Sequence, residues 1–318
     1  MRLTLPKDIG HADIDVLNLN DATQTEYDYT GATSYTAGNI RKVTYDADGT
    51  THRVPVKLFE ALKTTSAYPP DNISGDDPAW EDLGAVNQHK MFDTYINTQA
   101  TADGTESSDP GKIVLEIDTS KQDCIGLFFI TGTQLTLEVK DSAGTVLDTI
   151  VYDLSTVVYD WEDYFYGEFS FDRDLIVWSF IRLLFSSVKI TIEHAGAGLY
   201  PGVGFVTVGK KQTIGTSKNN ARAGIMDFST VARGDDGNIS YEEGPYAKTM
   251  SLDVRVPNAD FDRVQKTITA ARGKPAIFEG LEDLDYQAFT VLGFVRHFEM
   301  ILPGKPASEC NLDIEGLT

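Results

Sequence analysis

Along most of this chain, apolar and polar residues alternate over short runs that are broken by Gly, Pro, Ser and Asp. A period of two marks a strand with one face buried. From 112 to 194 the runs KIVLEID, CIGLFFITG, TQLTLEVKD, TVLDTIVYD and SVKITIEH all read as strands, with a hairpin turn at Asp141-Ser142-Ala143-Gly144. Many short strands without helices predict a β-sandwich or jelly roll over residues 91–200. Upstream, Asp48-Gly49 separates IRKVTY from VPVKLFEAL, a strong hairpin signal. Residues 1–90 therefore predict a small β module, with SAYPPDNISGDDPAW as an irregular surface loop that Trp80 closes.

Only one segment has a helical period. In PNADFDRVQKTITAARGKP, Phe261, Val264, Ile268 and Ala271 recur at spacings of three and four. Asn258 is placed to cap its start, with Asp260 and Asp262 in the first turn, and Arg272, Gly273 and Pro275 end it. Strands flank this helix (KTMSLDVRVP, AIFEG, AFTVLGFVRHFEMIL, ECNLDIEGLT), so residues 201–318 predict an α+β barrel-like unit. The expectation is a mainly β, multidomain chain with boundaries near 90 and 200.

Composition narrows the function classes. The 318 residues are 41% hydrophobic and 10% aromatic, enough for packed cores. Lys and Arg number 27 against 48 Asp and Glu, a net charge of −21, which opposes phosphate backbones and anionic membranes. No nucleic-acid partner and no membrane insertion are expected. Cut at 90 and 200, the balances are 8 against 14, 6 against 18 and 13 against 16, so the middle third is the most acidic. Cys124 and Cys310 lie far apart, which gives no disulfide framework and no paired ligand spacing. The opening MRLTLPKDIGHADI has no apolar signal core, and no run reaches the length of a membrane helix.

Catalytic signatures are missing from the sequence. There is no phosphate loop, no Gly-x-Ser-x-Gly and no His-Glu-x-x-His. The five histidines are scattered singly, so neither metal nor cofactor is expected. The acidic clusters Asp76-Asp77 and Asp160-x-Glu162-Asp163 suit calcium or a glycosidase pair in residue type, but neither matches an EF-hand loop, and solvated charge is the favoured reading. The aromatic run from Tyr159 to Phe171, including Trp161, fits either a packed core or interface, or a stacking platform for sugars.

Resemblance adds to this. YDYTGATSYTAGNIRKV, then LFEAL, then PAWEDLG resembles the small chitin-binding-type module of bacterial glycan hydrolases through Tyr35, Gly38, Phe59-Glu60-Ala61 and Trp80–Gly84. Asn39 stands where that pattern has Asp, and Tyr27 or Tyr29 where it has Trp. In order along the chain, GAVNQHKMFD, VYDWEDYF, GVGFVTVGKKQTIGTS, ARAGIMDFS, YAKTMSLDV and CNLDIEGLT resemble a family of tailed-phage virion proteins, described as carbohydrate-binding or tail-tip (distal tail, baseplate hub) proteins. MFDTYINTQAT leading into strands also looks like a galactose-binding-type jelly roll.

These resemblances imply a non-enzymatic structural protein of the virion tail tip, made in the host cytoplasm. A tail-tube-like C-terminal unit would close a threefold or sixfold ring with its own copies. Its partners would be the tail tube, tape measure, baseplate hub and tail fibre proteins. The alternative implied is host-surface glycan binding through Tyr35, Phe59 and Trp80, with Tyr29, Phe92, Asp93 and Trp161 as secondary candidates. A polysaccharide depolymerase is a third reading.

Overall fold

The structure is a computed structural model of the chain. It describes all residues except 20–27, 32, 94, 96–97, 107, 155–171, 197, 219–220, 234–237, 282–286, 302–306 and 318. The protein is mainly β, with curled antiparallel sheets and, among the described residues, one α-helix. The chain divides into two compact units, Asp8–Val208 and Met1–Lys7 with Gly209–Thr318.

This division differs from cuts near 90 and 200. The first strand, β1 (Arg2–Pro6), pairs on one side with residues 209–213 and on the other with residues 277–279, which ties the N-terminus to the C-terminal unit. The next, β2 (Ile14–Leu17), pairs with residues 115–117, so the first ninety residues also supply an edge strand to the middle of the chain.

The Asp8–Val208 unit has two separate cores. A three-stranded sheet of β3 (Ile40–Tyr45), β4 (His52–Ala61) and β5 (Trp80–Ala85) encloses Tyr35, Val43, Phe59, Ala61, Ala79 and Trp80. Gly49 adopts a φ of 71° in the β3–β4 turn, the conformation that a Cβ penalises, and Asp48 accepts the amides of Thr50 and Thr51.

The larger core follows β6 (Ala100–Thr101), β7 (Lys112–Asp118), β8 (Cys124–Thr131), β9 (Gln134–Asp141), β10 (Val146–Asp153), β11 (Asp172–Ser179) and β12 (Ser186–Glu193). A five-stranded sheet runs β10-β9-β12-β7-β2. Strict alternation sends Leu135, Leu137 and Val139 of β9, and Val188, Ile190 and Ile192 of β12, into this core. They meet Ile125, Leu127 and Ile130 of β8, where the run is apolar on both faces. The partly covered pair Lys140–Glu116 joins β9 to β7 at 2.7 Å, and Ser187 also donates to Glu116.

The second unit continues with β13 (Gly202–Thr213, from Gly209 onward), β14 (Thr216–Ser217), β15 (Arg222–Asp227), β16 (Thr230–Arg233), β17 (Ile239–Glu242) and β18 (Tyr246–Pro257). Then come α1 (Phe261–Ala270), β19 (Ala276–Glu279), β20 (Thr290–Ile301) and β21 (Ala307–Gly316). Its sheet is ordered β13-β1-β19-β20-β21-β18-β14, with β15 also on β18.

Helix α1 buries Val264, Ile268 and the following Ala271 against Leu252, Val254 and Phe278. Val264 and Ile268 each contribute about 1.5–3 kcal/mol of burial. Its stop is as expected, with Gly273 at φ 72°. Its start differs: Asn258 lies in a 3-10 turn before the helix, where its carboxamide oxygen accepts the Ser308 hydroxyl, and the helix N-cap is Asp260. Gly293 marks a close crossing, where a Cβ would overlap the Glu315 carbonyl of the paired β21.

Candidate functional site

The aromatic residues singled out from the sequence do come together, but as a core. Tyr35, Phe59 and Trp80 are all buried. Trp80 meets the Tyr35 ring edge-on at 5.6 Å, and its indole nitrogen donates to the Ala67 carbonyl at 3.0 Å. The Tyr35 hydroxyl donates to the Thr30 carbonyl and accepts the Thr30 amide at 2.8 Å. Burial raises its pKa, but these hydrogen bonds and the nearby Arg41 outweigh it and the net shift is downward. A flat ring binds a sugar only when a face is open to solvent. The three ligand candidates expected from the sequence lie within the core of the small three-stranded sheet, which has too little area to form one without them.

The secondary candidates separate. Phe92 is half-buried at the end of a 3-10 turn (Asn87–Phe92), edge-on to His89 at 6.1 Å and packed on the larger core. Asp93 is buried and accepts the Tyr95 amide at 2.8 Å, a local turn contact; burial raises its carboxyl pKa. Trp161 and the aromatic run around it lie outside the described residues. Of the acidic clusters, Asp77 pairs with Lys63 at 2.5 Å on the surface, and 160–163 also fall outside the described residues.

Tyr29 has a different position. Its ring packs on Tyr35 and Tyr68, and its other side faces a groove of about 280 Å³ lined by Asp28, Tyr29, Lys42, Tyr45, Asp46 and Tyr68. The groove's charges are paired, Lys42 with Asp28 at 3.3 Å and Arg53 with Asp46 at 2.8 Å. The Tyr68 hydroxyl donates to the Tyr45 carbonyl at 2.6 Å, and burial raises the pKa of both Tyr29 and Tyr68. Tyr45 is open to solvent and lies against His52, which is stacked in turn on His11 at 4.1 Å. Tyr45 and Tyr68 escaped the sequence reading because one ends a strand and the other opens a proline loop, positions without periodicity.

A second surface was also not foreseen. Strands β15, β16 and β17 have exposed residues throughout. The β16–β17 register is Thr230↔Glu242, Val231↔Tyr241, Ala232↔Ser240 and Arg233↔Ile239. Opposed residues share a face, so Val231, Tyr241, Arg233 and Ile239 lie on one side and Thr230, Ala232, Ser240 and Glu242 on the other. Apart from Arg233 the first side is apolar, yet Val231, Ile239 and Tyr241 are 68%, 57% and 80% exposed. Exposed Ile225, Phe228 and Tyr246 adjoin it along the chain.

Charge is divided between the units. Met1–Lys7 with Gly209–Thr318 holds 15 Lys and Arg against 16 Asp and Glu, whereas Asp8–Val208 holds 12 against 32. Among the described residues no group of three or more His, Cys, Asp or Glu is placed to hold a metal, and no helix is long and apolar enough to cross a membrane. No protein-family model and no curated protein matches the chain.

Proposed function

We propose that the chain is a non-enzymatic structural protein that assembles with its own copies, and that it does so at the tip of a phage tail. The observation that carries the assembly part is the exposed apolar face of the β16–β17 hairpin on a nearly charge-neutral unit. A two-stranded ribbon is marginal by itself, and an apolar face on it is stabilised when a partner covers it. A net charge near −1 lets copies of that unit approach, while the acidic Asp8–Val208 unit, near −20, repels its like. The ordered sequence landmarks support the location.

In this reading the larger core is a β-sandwich of jelly-roll type, and the helix-bearing unit is a tail-tube-like barrel. The tail tube, tape measure, baseplate hub and fibre proteins are its neighbours. Immunogold labelling of intact virions that encode this chain tests the location. Label at the distal end of the tail is expected, and particles without the chain would overturn it.

A second reading has its own observation. The groove beside Tyr29, Tyr45 and Tyr68 combines aromatic walls with Asp28 and Asp46, the mixture that holds a saccharide by ring stacking and hydroxyl hydrogen bonds. Here the protein, or its assembled ring, grips host-surface glycans weakly at each copy and gains avidity from the number of copies. Tyr45→Ala, at an exposed position, removes glycan-array binding if this is right and leaves it unchanged if it is not.

A further inference from the structure

We propose that the apolar face of the β16–β17 hairpin of one copy docks in the β15–β18–β21 groove of a second copy of this chain. The inference rests on the assembly reading and names the two surfaces that meet.

The groove lies on the side of the sheet away from the buried core. Opposed pairs Arg222↔Ser251, Gly224↔Thr249, Ser251↔Asp313 and Thr249↔Glu315 put these residues on one face, while Met250, Leu252 and Val254 point into the core. It has a volume of about 430 Å³ and is lined by Arg222, Gly224, Met226, Arg296, Asp313 and Glu315, among others. Gly224 leaves the middle of β15 without a side chain, which opens the trough. A Cβ there would meet only the Thr249 hydroxyl, at 3.0 Å.

Hairpin and groove match in three respects. Tyr241 is a flat amphipathic ring, and the groove offers two guanidiniums, Arg222 and Arg296, against which such a ring stacks. Val231 and Ile239 find the thioether of Met226, a side chain that adapts to irregular apolar neighbours. Arg233, the one cation on the apolar face, meets a groove that carries Asp313 beside the Arg296–Glu315 ion pair.

A second copy is the occupant because the unit carrying both surfaces is nearly neutral. Nucleic acid and anionic lipid are opposed by the −21 of the whole chain. Since hairpin and groove are different surfaces, the contact is heterologous. It repeats from copy to copy, and closes a ring when the rotation permits.

Sedimentation velocity on the full chain, with two variants, tests this. Wild type is expected to form a discrete oligomer. Val231→Asp with Tyr241→Asp alters the hairpin, Gly224→Trp fills the groove, and each is expected to give a monomer with wild-type circular dichroism. Mixing Tyr241→Cys with Met226→Cys under mild oxidation is expected to cross-link two copies. A wild-type monomer at every concentration overturns self-docking, and virion labelling separately decides the tail-tip location. An oligomer that survives either variant overturns this pairing of surfaces while leaving assembly itself standing.

Discussion

Val231 and Tyr241 oppose each other across the β16–β17 ribbon, and both stand in solvent. Tyr35 and Trp80 meet edge-on in the small module, and both are covered. The contrast separates aromatic residues that build the fold from those available to a partner. The sequence places all four in similar surroundings, short β runs beside turns.

Trp80→Ala should unfold the small module alone. Removing a fully buried indole and its hydrogen bond to Ala67 costs about 3–5 kcal/mol. The core around Trp80 shares no buried residue with the core of β7–β9 and β12. Hydrogen exchange should show protection lost over residues 35–85 and kept over 112–193. A uniform loss would mean that the two cores fold as one.

Leu3→Ala should weaken a sheet whose other strands lie more than two hundred residues away. Leu3 is fully buried between β13 and β19, opposite Gln212 and Phe278. The expected cost is about 2–5 kcal/mol. It should be read as faster exchange in β19 and β20 with β7 and β12 unchanged, and an effect confined to the first residues would contradict the discontinuous unit.

The strand pattern of the middle segment is legible because each run has one buried face. Burial of Leu135, Leu137 and Val139 is the alternation itself. The discontinuous unit was not legible, since nothing in MRLTLPK says that its partner strands lie near 210 and 278. The β15–β17 arm was missed because a strand with no face in a core has no buried period to detect. The burial of Tyr35, Phe59 and Trp80 was not legible for a related reason: sequence shows that aromatic residues cluster, not whether a small sheet consumes them as its core.

Stability should fall in mild acid through His89. Burial, with smaller contributions from His11 and Lys42, holds its imidazole down at about 4, against 6.5 ordinarily. Its Nδ1 has no hydrogen-bond partner. The unfolded chain therefore takes up a proton that the folded chain refuses. The contribution is complete above the unfolded value near 6.5 and is lost progressively as pH falls to about 4, a change of about 3 kcal/mol. Urea midpoints measured across this window should slope for wild type and flatten for His89→Leu; equal slopes would remove His89 as the cause.

Both thiols should be inert in the folded protein. Cys124 and Cys310 are buried, and burial, with Asp253 nearby, pushes the Cys310 thiol up to about 12. Iodoacetamide at pH 8 should label neither residue until denaturant is added. Rapid labelling of native Cys310 would show that its strand opens.

A symmetry-resolved cryo-EM reconstruction of the tail tip, from the particle that encodes this chain, tests the account most directly. The account predicts copies of the chain in a closed ring that meet through residues 209–318, with Tyr241 of one copy against Arg222 and Arg296 of the next. A tip that lacks the chain would contradict it, as would a ring joined only through residues 8–208 with the β16–β17 hairpin left in solvent.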